Sequence, residues 1–175
     1  MMKVNLLLPP YDTFPTIVGD NITLRQIQLS DIEDLIEISY YDGVKASTFD
    51  EGIGMQDKIN DDYIQGNSIH WGIADRVSNK IVGTCGYYRG LDQGEGELGF
   101  IMLSQFRGQG LMMAALQLAI DFGINNIRLN RIWAMTTTDN HNAKKLFDRL
   151  GFNRVKEITG EEITYELKLQ HISVE

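Results

Sequence analysis

The stretch Glu97-Leu98-Gly99-Phe100-Ile101-Met102-Leu103-Ser104-Gln105-Phe106-Arg107-Gly108-Gln109-Gly110-Leu111-Met112 decides the reading of this chain. Its first half is a β-rich run. After the Gly-x-Gly turn at Gly108 and Gly110 the pattern switches to LMMAALQLAIDFGI, strong helix formers that are apolar on most sides, which signals a helix buried by a sheet. The amides of a first helical turn are unpaired and the helix dipole favours an anion in front of them, while glycine lets phosphate oxygens approach the backbone. A plain strand-to-helix turn would use glycine too, for its conformational freedom, so spacing alone leaves both readings open.

Working outward, residues 68–75 and 80–89 are β-rich runs joined by a hairpin at 76–79, and with 97–103 they make three consecutive antiparallel strands. Gly94-Glu95-Gly96-Glu97-Leu98-Gly99 has the letters of a dinucleotide fingerprint, but a strand follows where a phosphate-binding helix is required, so it reads as a hairpin turn. Upstream, residues 21–27 read as a strand. Ser30 and Glu33 have capping-box spacing ahead of a helix over about 31–40. The acidic stretch 42–67 is weakly periodic, with a short helix expected over about 56–65. Downstream, 131–137 reads as a strand, and Asp139 or Asn140 can cap a helix whose Ala143, Leu146, Phe147 and Leu150 share a face. Gly151 terminates that helix, Phe152 can fold back on it, and 153–158 and 163–169 are two closing strands. The sum is an α+β, or three-layer α/β, arrangement, read as an extension over 1–18 and a single domain over 19–175.

A chain of 175 residues with 43% apolar composition can bury a full core without staples. The single cysteine, Cys85, excludes a disulfide framework and a Cys-based zinc site, no metal is expected, and a lone thiol fits a reducing, cytoplasmic compartment. No apolar run reaches the ~20 residues of a membrane-spanning helix. The net charge of −8 argues against broad nucleic-acid binding. It is unevenly spread: residues 1–75 carry −9 and residues 76–175 carry +1, with eight basic against three acidic residues in 104–156. Such asymmetry suggests two different partners.

The run from Glu97 to Met112 resembles the acetyl-CoA-binding segment of the GNAT superfamily of N-acetyltransferases, above all the branch that includes the ribosomal-protein N-terminal acetyltransferases (Rim type). The family loop reads Gln/Arg-x-x-Gly-x-Gly/Ala, and Arg107, Gly110 and Met112 fall on its fixed positions, Met112 departing from Gly/Ala. A second segment, Asn140 to Phe152, resembles the family's Asn-x-x-Ser/Ala helix ending in Gly-Phe. The resemblance implies a mostly antiparallel mixed sheet with diverging central strands flanked by helices. It assigns Ile101, Met102 and Leu103 to main-chain pairing with the pantetheine arm of acetyl-CoA, and Arg107, Gly108, Gln109, Gly110, Leu111 and Met112 to the diphosphate. Asn140 would touch pantetheine or the acceptor, and Phe147 stands at the cofactor-side position where many relatives carry a Tyr acid. Many relatives are dimers, so the resemblance is compatible with a homodimer.

The implied reaction is direct acetyl transfer to a primary amine, without a covalent enzyme intermediate. Glu97, where this branch often has an acidic residue, is the expected base or amine-attracting group; its plain alternative is a solvated carboxylate beside a hairpin. His70, Tyr87 and Tyr88 are lesser candidates, and His141 reads as a surface residue. With Phe147 and Ala143 in place of Tyr and Ser, both family general acids are missing. Three readings follow in order: acetylation of a protein or peptide α-amino group, acetylation of a small amine (polyamine, amino sugar or amino acid derivative), and a non-catalytic acyl-CoA-binding module. Asp42, Asp50, Glu51, Asp57, Asp61 and Asp62, in the segment that forms the acceptor wall in this family, would attract cationic acceptors.

Overall fold

The computed structural model describes residues 5–157, 160–167 and 169. Ten strands and four α-helices run in the order β1 (Ile17–Val18), β2 (Ile22–Arg25), α1 (Ile32–Leu35), β3 (Tyr40–Tyr41), β4 (Val44–Lys45), α2 (Phe49–Ile64), β5 (Ile69–Asp75), β6 (Ile81–Tyr87), β7 (Glu95–Met102), α3 (Leu111–Phe122), β8 (Arg131–Thr137), α4 (His141–Arg149), β9 (Asn153–Glu157) and β10 (Glu162–Leu167). Eight strands form one sheet in the order β1-β2-β5-β6-β7-β8-β10-β9, while β3 and β4 make a separate hairpin. Every pairing in the large sheet is antiparallel except β7 with β8.

The sheet is sandwiched. On one face Trp71, Ile73, Leu24 and Leu98 meet Ala115, Leu116, Ala119 and Phe122 of α3, and Phe147 of α4 joins the same core. On the other face Ala74 and Ile81 meet Ile32, Leu35 and Ile38 around α1. The expected three-layer mixed sheet is therefore the observed one. Cys85 is fully buried on β6, where desolvation pushes its thiol up to about 12.

Local expectations fare unevenly before β5. The helix expected over 31–40 is only α1, flanked by 3₁₀ turns at Leu29–Asp31 and Ile36–Ile38. Its entry is not capped by Ser30 with Glu33. Instead Asp31 accepts a bond from the Gln28 N–H at 2.7 Å and is gripped by the Arg25 guanidinium at 2.8 and 3.0 Å. That partly buried, charge-assisted pair, rather than a solvent-exposed capping box, marks the entry. The acidic stretch holds a far longer helix than 56–65: α2 starts at Phe49, with Thr48 Oγ1 accepting from the Glu51 N–H at 3.2 Å. Its weak periodicity hides it, because most of its surface faces solvent.

From β5 onward the elements fall where the pattern puts them. The Gly94–Gly99 segment belongs to a strand and its turn, and of the two capping candidates Asn140 does the work, its Oδ1 accepting from the Ala143 N–H at 3.1 Å. Phe152 folds back on Phe147 with ring centroids 5.4 Å apart. The ends of the two closing strands, at Ile158 and Lys168, lie outside the described residues, as do residues 1–4. Residues 5–18 run along the fold, with the Trp71 indole donating to the Pro15 carbonyl at 3.0 Å and Tyr11 edge-on to Phe122 at 5.9 Å. No helix among the described residues is long and apolar enough to cross a membrane.

Candidate active site

The site is built around a fork. β7 pairs with β8 only over Glu95↔Arg131, Gly96↔Ile132 and Glu97↔Trp133, while on its other edge it stays paired with β6 as far as Met102. The Tyr88 N–H donates to the Glu97 carbonyl at 3.0 Å and the Leu103 N–H to the Val82 carbonyl at 3.0 Å. In an antiparallel ladder, main-chain groups alternate in direction, so odd-numbered residues of this edge are satisfied by β6 and even-numbered ones face the gap toward β8. Of the three residues that the resemblance assigns to pantetheine pairing, the register leaves Met102 with main-chain groups on the free edge. Ile101 turns its polar main-chain groups to β6, and Leu103 gives its N–H to the Val82 carbonyl while its own carbonyl accepts from the Phe106 N–H at 3.0 Å. Beyond the fork, Phe100 and Met102 turn theirs to the gap, with the Met102 carbonyl accepting from Arg107 Nε at 3.3 Å. Alternation is visible in a sequence, but which parity faces which neighbour depends on strand register.

The glycine turn lies at the open end of this gap. A 3₁₀ turn at Ser104–Phe106 leads into Gly108 and Gly110, whose φ values of 75° and 76° are left-handed and favour glycine. A Cβ at either position would meet nothing within 4 Å, so the space before α3 is open. Leu111 and Met112 are the first residues of α3, which begins at Gly110 with no side-chain cap. Arg107, Gly108, Gln109 and Gly110 are exposed around it. First-turn amides without a side-chain cap, two glycines and a guanidinium fit a diphosphate group, and the gap beside Phe100 and Met102 fits an arm that pairs with a strand edge. One carboxylate borders the turn: Glu37 accepts from the Ser104 N–H at 3.1 Å, and that bond, aided by the Arg107 charge, holds its carboxyl below the usual range.

The resemblance's two helix positions are placed differently. Asn140 caps α4, which engages its Oδ1 and leaves its side-chain amide donors. Phe147 is 1% exposed and stacked among Phe100, Phe152 and Tyr165, with centroids 5.6, 5.4 and 4.9 Å away. Ala143 is buried.

The cross-strand partners Tyr88–Glu97–Trp133, and His70–Gly86–Gly99 beside them, put these side chains on the sheet face opposite α3. Glu97 is half-buried, with Arg89 Nε 3.4 Å from its Oε2; the desolvation outweighs this exposed partner and raises its pKa above the usual carboxylate value. Tyr88 lies flat over Gly99: a Cβ there would come within 2.2 Å of the ring, so glycine is required. Desolvation, then the neighbouring Cys85 and Glu97, push the Tyr88 phenol well above its ordinary value. Burial pushes His70 down to about 4, so its imidazole is neutral at physiological pH. Tyr87, by contrast, points into the core and donates to the Ala119 carbonyl at 2.8 Å, a structural role. His141 is exposed at the start of α4.

Between this face and the helices α1 and α2 lies a cavity of about 190 Å³. His70, Thr84, Tyr88 and Ile101 form its floor, and Leu35, Ile38, Met55 and Ile59 are apolar parts of its walls. Asp42 is its one carboxylate. Sequence reasoning did not single out Trp133, an alternating strand residue that reads as packing until its neighbour Glu97 is known. Among the described residues no group of three or more His, Cys, Asp or Glu is placed to hold a metal.

The Acetyltransferase (GNAT) domain family matches the chain over residues 21–153. The protein p20 of Bacillus licheniformis, named an uncharacterized N-acetyltransferase, is 28% identical over 148 residues, covering 79% of this chain and 83% of that protein. Among solved structures, the ribosomal-protein-S5-alanine acetyltransferase of Vibrio fischeri superposes with a TM-score of 0.71 at 20% identity, over 88% of this chain and 96% of that one. A spermidine N-acetyltransferase variant from Vibrio cholerae gives 0.70 at 16% identity, over 84% and 93%. At such identities the structural likeness speaks for the fold, and it is the family match, spanning most of the chain, that carries the assignment: the chain belongs to the GNAT acetyltransferase family and is an N-acetyltransferase.

Proposed function

We propose that this N-acetyltransferase uses acetyl-CoA to acetylate the α-amino group of a peptide or protein N-terminus, with Glu97 receiving the amine proton. The observation that carries this reading is Glu97 itself: a half-buried carboxylate of raised pKa at the fork, on the face that opens to the cavity. The phosphate end of acetyl-CoA would lie on the Gly108–Met112 turn and Arg107, its arm along Phe100 and Met102, with Asn140 near the gap. Acetyl-CoA supplies the acetyl group as a thioester, so that the new N–C bond forms as the C–S bond breaks and a thiol is released. A raised carboxylate pKa narrows the distance to the amine it deprotonates. An α-amine, with a pKa of about 8, is roughly a tenth to a half neutral between pH 7 and 8, whereas a lysine amine at about 10.4 is under about 1% neutral, so a carboxylate base has less to do for the first. With Phe147 in the core and Ala143 three residues after Asn140, the departing thiolate takes its proton from water and leaves as the thiol.

The carboxylates of α2 and of Asp42 favour a second reading, a small polycationic amine attracted by the same wall. The primary reading is tested on Glu97→Gln. Turnover should fall about 100-fold or more, the usual worth of a positioned base, while calorimetric affinity for acetyl-CoA stays unchanged. Undiminished turnover across pH would remove Glu97 from the reaction.

A further inference from the structure

Among the described residues, three buried side-chain polar atoms have no hydrogen-bond partner: His70 Nδ1, Glu97 Oε2 and Trp133 Nε1. Buried polar groups are nearly always paired, and an unpaired one is destabilising. All three lie on the same sheet face, on β5, β7 and β8, and two of them belong to cross-strand partners at the fork. The base accounts for Glu97. Trp133 is left over.

The indole N–H can only donate, so what it lacks is an oxygen or another acceptor. The carboxylates nearest to it in the sheet are committed elsewhere. Glu95 and Glu166 both bind Arg131, at 2.9 and 3.2 Å, and that guanidinium sits 5.6 Å from the Trp133 ring. Glu97, the direct cross-strand partner, makes no hydrogen bond to the indole. The protein therefore fixes a ring beside its base and withholds every acceptor from it.

We propose that Trp133 Nε1–H is a specificity-determining donor that reads the carbonyl oxygen adjoining the reactive amine, so that the acceptor is an α-amino acyl compound with an apolar first side chain. This deepens the transferase reading and rests on it. The order across the face supports it: Tyr88, Glu97 and Trp133 stand on neighbouring strands, about 4.8 Å apart. With the amine at Glu97, the carbonyl of the same residue reaches the Trp133 side, and its side chain turns past Tyr88 into the cavity. At about 190 Å³ the cavity exceeds the ~150 Å³ of an apolar cavity known to hold benzene, so it takes one branched or aromatic side chain. His70 Nδ1 at its floor remains open to one further hydrogen bond. A polyamine fits poorly, because it carries no oxygen for the indole and would place several cations in a cavity with one carboxylate, Asp42.

The test measures thiol release from acetyl-CoA with leucinamide and phenylalaninamide, and with their carbonyl-free counterparts 3-methylbutylamine and 2-phenylethylamine. Wild-type protein and Trp133→Phe are compared, which cancels the difference in amine pKa. The variant should lose about 10- to 100-fold in kcat/KM on the amides, the worth of one hydrogen bond to a buried donor, and nothing on the simple amines. Equal losses on both classes, or none on the amides, would overturn the proposal. Should the variant fail to fold, the wild type decides: per neutral amine, leucinamide should exceed 3-methylbutylamine at least tenfold, and parity would overturn the proposal. A leucine-initiated tripeptide in the same assay distinguishes a free amino acid amide from a chain N-terminus. Absence of thiol release with every acceptor, with acetyl-CoA still bound in calorimetry, would instead reject the transferase reading and this one with it.

Discussion

Three side chains at the fork show how position, more than identity, makes chemistry. Glu97, Trp133 and His70 would each be unremarkable on a solvated strand. Placed together on one face, with Glu97 Oε2, Trp133 Nε1 and His70 Nδ1 lacking hydrogen-bond partners, they can offer a base, a donor and a further polar group. His70 gives this arrangement a pH signature. Its folded-state pKa is about 4 against 6.5 in the unfolded chain, so the unfolded state binds the extra proton first. A depressed pKa contributes stability that is whole above pH 6.5 and lost as pH falls toward 4. Denaturant midpoints of the wild type should therefore fall between pH 6.5 and 4, and His70→Gln should flatten that slope; identical slopes in the two proteins would refute the buried neutral imidazole. Of these residues the sequence makes Glu97 legible through its position beside the motif, and His70 only as a lesser strand candidate. Trp133 acquires meaning through the β7–β8 register, a contact between segments over thirty residues apart.

At the level of elements, the turn from β7 into α3 is the part that a reader of the sequence can see most clearly. Glycines at Gly108 and Gly110 meet a backbone need, left-handed φ in open space, and the helix that follows lacks a side-chain cap. An acidic replacement tests it: Gly110→Asp should abolish calorimetric acetyl-CoA binding, by combining backbone strain of about 1–2 kcal/mol with a carboxylate aimed at the anion site. Unchanged affinity would move the cofactor elsewhere. The elements that line the acceptor side were less legible. α1 breaks into 3₁₀ turns because the Arg25–Asp31 pair sets its start, and α2 extends over sixteen residues with little apolar periodicity. The pantetheine edge shows the same limit in miniature. A strand was visible at Ile101, Met102 and Leu103, yet the main-chain direction that passes the gap to Phe100 and Met102 is set by β6.

For the whole molecule, the uneven charge of the chain finds a spatial meaning. The acidic first part contributes α1, α2 and Asp42 to the cavity, and the basic stretch contributes Arg107 and the start of α3. In the proposed reaction this division would draw a cationic amine to the cavity side and an anionic co-substrate to the glycine turn. The most direct test of this account is thiol release from acetyl-CoA with one leucine-initiated peptide containing an internal lysine, offered with a free and with a blocked N-terminus, and with spermidine as a third acceptor. Release is expected with the free peptide, loss of release on blocking, and at most weak release with spermidine. Equal release from free and blocked peptides, or preference for spermidine, would contradict it.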